Sequence, residues 1–264
     1  MQKPKAITLL RAVLLICLVS GVSAQTTLYL NNYPTNGVMG GVYTSPYGIS
    51  VGSQNAPSLP LICDDFTTDI GVPDSWSADV TTLTTFTNAS VSGLKFAQAA
   101  YQGDGILNGP GSVGEDYEIL AVLAAELMLL PSQNSAAGAE LSYAIWSVFD
   151  QDLYNEMNNP ATYGDTGFGN VTSGPGGEAN AVTQIDNYLA GAEAIVAAAG
   201  AGPITVEGQT IESLTVYTAV PASASQEFLQ VTMTEPSYPT ALAVDLFGAS
   251  VLLLVFRRRI FRTA

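Results

Sequence analysis

The chain has 264 residues, a formal charge of −15 and no histidine. The missing imidazole excludes Ser-His-Asp hydrolysis, Cys-His proteolysis and histidine-ligated zinc together. Twenty-one of the 23 acids fall between Gln25 and Met233, where Lys95 is the sole base, so that stretch carries a formal charge near −20. Such a surface repels nucleic acid and anionic lipid and favours cations or neutral glycans, although solubility outside the cell is reason enough for it.

At the front, Lys3, Lys5 and Arg11 precede an apolar run from Ala12 to Val19, and Val22-Ser23-Ala24 leads into Gln25. This pattern predicts a signal peptide over residues 1–24, cleaved between Ala24 and Gln25, and therefore export across the cytoplasmic membrane. Cys17 lies inside the apolar run behind Leu14, Leu15 and Ile16. A lipidation site would want small residues there, so lipidation is rejected. The mature chain then keeps one cysteine, Cys63, which has no partner for an internal disulfide. Its thiol is expected to be buried and apolar, paired between molecules, or chemically modified.

Residues 25–233 form the body, a length that suits one domain with a proper core. Short strands are predicted at Leu28 to Leu30, Gly40 to Val51, Leu59 to Cys63 and Ser75 to Thr87, where β-formers alternate between Gly, Pro and Asn turns. Leu94 to Tyr101 reads as a short apolar-faced turn or helix. Helices follow at Asp116 to Leu130, with acids in its first turn and Pro131 as its stop, and at Ala137 to Asn155. In the second, Leu141, Ala144, Ile145, Val148 and Phe149 recur at helical spacing. A third, alanine-rich helix runs from Glu178 to Ala199, ended by Gly200. Strands return in ITVEGQTI, SLTVYTAV and QEFLQVTM. Strands that flank a helical insertion commonly share one sheet. The expected class is α+β, with sandwich-like N- and C-terminal strands around a three-helix block.

The tail, residues 234–264, has three parts in order. Glu235-Pro236 lies in a short polar segment, an apolar run covers residues 241–256, and Arg257, Arg258, Arg259 and Arg262 close the chain. As a helix the run reaches roughly 24 Å, short of a ~30 Å hydrocarbon core. Asp245 within it adds an insertion cost of about 2.5–3.5 kcal/mol near the bilayer centre. The arginines should stay cytoplasmic, leaving the body outside. Such a marginal transmembrane helix suits brief tethering. The order resembles the PEP-CTERM sorting signal of bacterial exosortase substrates, with Thr234 where that family has its first proline. The resemblance implies that an exosortase-type membrane enzyme recognises and removes the tail, so that the protein is only transiently anchored. An ordinary single-pass anchor is the alternative.

Two further segments carry a second resemblance. LICDDF, Leu61 to Phe66, and LSYAIWSVFD, Leu141 to Asp150, look like the signature segments of thioester domains from bacterial surface adhesins. In that family a strand-end cysteine condenses with a glutamine carried two positions before an Ala-aliphatic-Trp run, releasing ammonia. The resemblance puts Cys63 at the thiol position and Trp146 at the tryptophan. Ser142 stands where the glutamine would be. Serine has no acyl group to give, so no thioester can form between these two residues.

Asp64, Asp65, Asp69 and Asp74 follow Cys63, and Asp150, Asp152, Asn155 and Glu156 end the second predicted helix. Calcium takes about six to eight such oxygens, which makes Asp150 and Asp152 its candidates, with a solvated acidic face as the plainer reading. Acids at a helix C-terminus oppose the helix dipole and so are not explained as caps. Paired carboxylates can also hydrolyse a glycoside, though no spacing here singles out a pair. Lys95, among Leu94, Phe96 and Ala97, is expected to pair with one of the acids; the other role open to it is an amide to an Asn or Asp side chain.

The sequence therefore predicts an exported cell-surface or exopolysaccharide-matrix protein with a structural or adhesive role, no enzymatic activity and no cofactor. Its implied partners are the processing enzyme, matrix or surface glycans, and the membrane before processing. A secreted carbohydrate-active enzyme and a calcium-dependent binding module are the alternatives.

Overall fold

A computed structural model describes residues 24–32, 38–39, 42–101, 112–158 and 178–235. The expected signal peptide up to Ser23 and the tail from Pro236, with its apolar run and arginines, lie outside the described residues. Among the described residues no helix is long and apolar enough to cross a membrane.

Among the described residues, nine strands carry the fold. They are β1 (Ala24–Leu30), β2 (Val38–Met39), β3 (Val42–Tyr43), β4 (Tyr47–Val51), β5 (Ser58–Cys63), β6 (Asp74–Leu83), β7 (Thr205–Val206), β8 (Gln209–Ala219) and β9 (Phe228–Thr234). β2 and β3 pair as a separate ribbon. In the main sheet the order is β6-β1-β4-β5-β9-β8, and β6 pairs with β8 as well, so six antiparallel strands close on themselves. This is a barrel where the sequence suggested a sandwich. The reason lies in β6 and β8, ten and eleven residues long. Strands of that length carry enough twist to curl the sheet until its edges meet, and closure removes both edges. The N- and C-terminal strands do share one sheet, through β5–β9 and β6–β8.

Paired residues share a face, which divides the barrel into inside and outside. Leu28 opposite Trp76, Tyr47 opposite Leu61 and Cys63 opposite Phe228 point inward. Phe228 meets Tyr47 edge-on at 5.6 Å and Trp76 at 5.7 Å. Ile62, Leu229, Val216 and Leu214 line the outer face. That outer face is covered by α2 (Val113–Leu129), which packs on β8 and β9. α2 is buried over most of its circumference, as expected of a helix apolar all round. Ser112 caps it by accepting from the Glu115 N–H. α3 (Ala136–Ser147) and α5 (Glu178–Ala199) pack on α2 and on each other. In α5, Ala181, Ile185, Leu189, Ala192 and Val196 form the buried stripe, and Gly200 ends it at φ 54°. A one-turn helix, α1 (Asn88–Val91), and a 3₁₀ turn at Lys95–Ala97 lead into α2.

Three boundaries differ from the sequence reading. The second predicted helix is two: α3, and α4 (Gln151–Asn158), which starts afresh where the Asp150 carboxylate accepts from the Leu153 N–H. Asp150 therefore caps a helix N-terminus, and the reading of Asp150 and Asp152 as acids at a helix C-terminus is corrected. The predicted strand from Gly40 to Val51 is broken around Pro46, which has no N–H for a ladder. The last strands divide elsewhere as well: Thr205–Val206 turns through Glu207 and Gly208, φ 48° and 82°, and Gln209–Ala219 runs as one bulged strand.

Candidate functional site

Cys63 ends β5, and α3 lies across that end of the strand. A relay of hydrogen bonds ties the two together. The Cys63 N–H donates to Ser45 Oγ at 3.0 Å, and the Ser45 N–H donates to Ser142 Oγ at 3.1 Å. Ser142 in turn donates to the Gly138 carbonyl at 2.9 Å, one helical turn back. The structure thus brings Cys63, Ser142 and Trp146 to one place, with Ser45, which the sequence reading did not single out, as the bridge. All four residues are buried.

The thiol donates to the Asp65 carbonyl at 3.1 Å, and the Trp146 indole N–H is near enough to favour a thiolate. Burial outweighs it and pushes the thiol well above its usual value, with the Asp65 carboxylate acting the same way. Cys63 is therefore a neutral thiol, poorly disposed to attack anything. Phe66 closes over the position, 5.1 Å from Trp146 and 6.3 Å from Tyr143.

Beside this lies a polar cluster that the barrel and helices seal completely. Asp64, Asp65, Lys95, Tyr117 and Glu227 are each 0% exposed. Asp64 and Glu227 sit one step beyond the outward-facing pair Ile62 and Leu229, and so face α2. Glu227 accepts from the Tyr117 hydroxyl at 2.6 Å, from the Lys95 backbone N–H at 3.0 Å and from the Thr218 hydroxyl. Burial raises Glu227 and these donors hold it back. Asp64 has less help: no other residue's N–H or O–H donates to its oxygens, and its contact with Glu227 raises it further. Burial, and then the Glu227 charge, push its carboxyl well up, so Asp64 is the member of the pair that holds the proton. Lys95 pairs with Asp65 as an ion pair and donates to Thr68 Oγ1 at 2.9 Å. The other Asp65 oxygen, Oδ1, accepts from the Thr67 N–H at 3.1 Å and hydroxyl at 2.9 Å.

The remaining predicted positions stand apart. Asp69, Asp74 and Asp152 are exposed, and Asp74 accepts from the neighbouring Ser75 N–H. Among the described residues no group of three or more His, Cys, Asp or Glu side chains is placed to hold a metal ion. Ala24 and Gln25, the expected cleavage site, open β1 opposite Val80 and Asp79. Glu235 follows β9 and is exposed, and Pro236 with the arginines lies outside the described residues. Glu227 and Tyr117 were missed from sequence. The signal for Glu227 was an acid set among the apolar residues that open a strand, in QEFL.

No protein-family model matches the chain, and no curated protein matches it. Among solved structures it is similar to the N-terminal thioester domain of fibronectin-binding protein SfbI from Streptococcus pyogenes. Identity is 11% and the TM-score 0.41, over 81% of this chain and 94% of that chain.

Proposed function

We propose that this chain is an exported bacterial surface or exopolysaccharide-matrix protein with a structural or adhesive role and no enzymatic activity. Its tail is a sorting signal: an exosortase-type enzyme removes it after brief membrane tethering. The reading of the body rests on one observation. Where the resemblance implies a bond-forming cysteine and glutamine, Cys63 is linked through Ser45 to a serine that is engaged in a structural relay. Whatever the body holds, it holds without a thioester at this place. The buried carboxylates Asp64, Asp65 and Glu227 support the same view, since no glycan can approach them.

The test is the intact mass of the protein from its native host, before and after methylamine. A chain running from Gln25 to about Glu235 or Pro236, unchanged by the amine, is the expected result. Retention of Ala241 to Ala264 would reduce the tail to a plain anchor. Incorporation of methylamine would restore a thioester and remove the reading of the body.

A further inference from the structure

The Lys95–Asp65 contact has features that an ion pair alone does not require. The amine is the only one between Gln25 and Met233, it is wholly buried, and it touches one oxygen of a wholly buried carboxylate. The rings of Tyr101 and Phe96 stand 5.1 Å and 5.8 Å from Nζ and keep water from it. On the far side of the carboxylate, Thr67 aims both an N–H and an O–H at Oδ1. Two donors at the oxygen where negative charge would develop during attack on Cγ are the arrangement that stabilises a tetrahedral intermediate. A dry site also favours the loss of water, and it makes two buried charges costly to keep.

We propose that Lys95 and Asp65 become joined by an amide between Nζ and Cγ, formed by the folded chain itself with loss of one water. A proton first passes from the ammonium to Oδ2, leaving a neutral amine beside a carboxylic acid. The Nζ electron pair forms the bond to Cγ, and the C=O π electrons move onto Oδ1, held by the two Thr67 donors. On collapse the Cγ–Oδ2 bond breaks, and Oδ2 leaves as water with a second proton taken from Nζ. One N–H remains on the amide, both charges are gone, and no oxidant or further reactant is needed. The bond braces the segment just past β5 to the turn that leads into α2.

The chain carries its own assay. Between Arg11 and Arg257 the only tryptic site is Lys95-Phe96, and an acylated lysine is not cut. The full-length protein, purified and then denatured, is digested with trypsin and weighed. Expected are a mass one water below that of the sequence and no cut at Lys95. Asp65→Ala, folded or not, should restore the full mass and give the two fragments that part after Lys95. A wild-type chain that is cut at Lys95 overturns the proposal, even if it lacks a water, because an aspartyl-glycine succinimide at Asp104-Gly105 would lose one too. The outcome is independent of the tail and of Cys63.

Discussion

Tyr117 and Glu227 show how one side chain can make another tolerable in a core. A carboxylate at 0% exposure is stable only if its lone pairs are filled, and the Tyr117 hydroxyl fills one of them on Glu227 at 2.6 Å. That hydroxyl is itself pushed well above its usual value by burial, then by the Glu227 charge, so it stays a donor. Tyr117→Phe keeps the ring and removes the bond. A charge-assisted hydrogen bond contributes about 1.5–3 kcal/mol, and denaturant melts should register a loss of that size. A loss below about 0.5 kcal/mol would mean that Glu227 is protonated and leans little on the tyrosine. Neither residue stood out in the sequence, because an isolated Tyr in an apolar helix reads as packing. Cys63, Ser142 and Trp146 were legible because they lie in short recognisable segments, whereas Ser45, at the far end of the relay, has no local pattern at all.

At the scale of elements, helix starts decide more than helix interiors. Gly138 lies in the first turn of α3, its N–H bound to the Ser135 cap. A Cβ there would stand 2.0 Å from the Gln133 carbonyl oxygen, a backbone atom held in the turn before the helix. Helix propensity alone says that Gly138→Ala should stabilise by about 1 kcal/mol. The clash says the reverse, and overpacking of this kind costs about 1–3 kcal/mol. A thermal melt of the variant therefore tests the sign, and a gain in stability would show that the Gln133 turn is free to move. α2 and α5 were legible from their ends and composition: first-turn acids and Pro131 bound the one, and an alanine-rich run closed by Gly200 marks the other. The break between α3 and α4 was not: the apolar spacing continues through Val148 and Phe149, and only the Asp150 carboxylate competes locally with the helix. Closure of the barrel was hidden for a related reason, since alternation reports which face is buried but not whether two edges meet.

For the whole molecule, the acids shape stability through where they sit as much as through their number. Burial raises Asp64 and Glu227 in the sealed cluster, Glu126 to about 7, Asp116 to about 6, and Glu118 and Glu140 to a smaller extent. Neighbouring carboxylates add to it, Glu207 for Glu126 and Glu115 for Asp116. Each of these groups binds its proton more tightly folded than unfolded. Unfolded carboxyls titrate near about pH 4, so above that value the native state carries more protons than the denatured state, and stability must fall as pH rises. The decline should run from about pH 4.5 through about pH 7, the range set by Asp116 and Glu126. Mutual repulsion in a body of charge near −20 works in the same direction and is screened by salt. The melting temperature is therefore expected to be highest near about pH 4.5, to drop by pH 8, and to recover in part with added sodium chloride. Asp64→Asn replaces one of the buried protons with a group that does not titrate, so it should melt close to wild type at pH 5 and above it at pH 8. A melting temperature that rises across this window, or an Asp64→Asn curve parallel to wild type, would mean that Asp64 is ionised in the folded chain and that the cluster is held by charge.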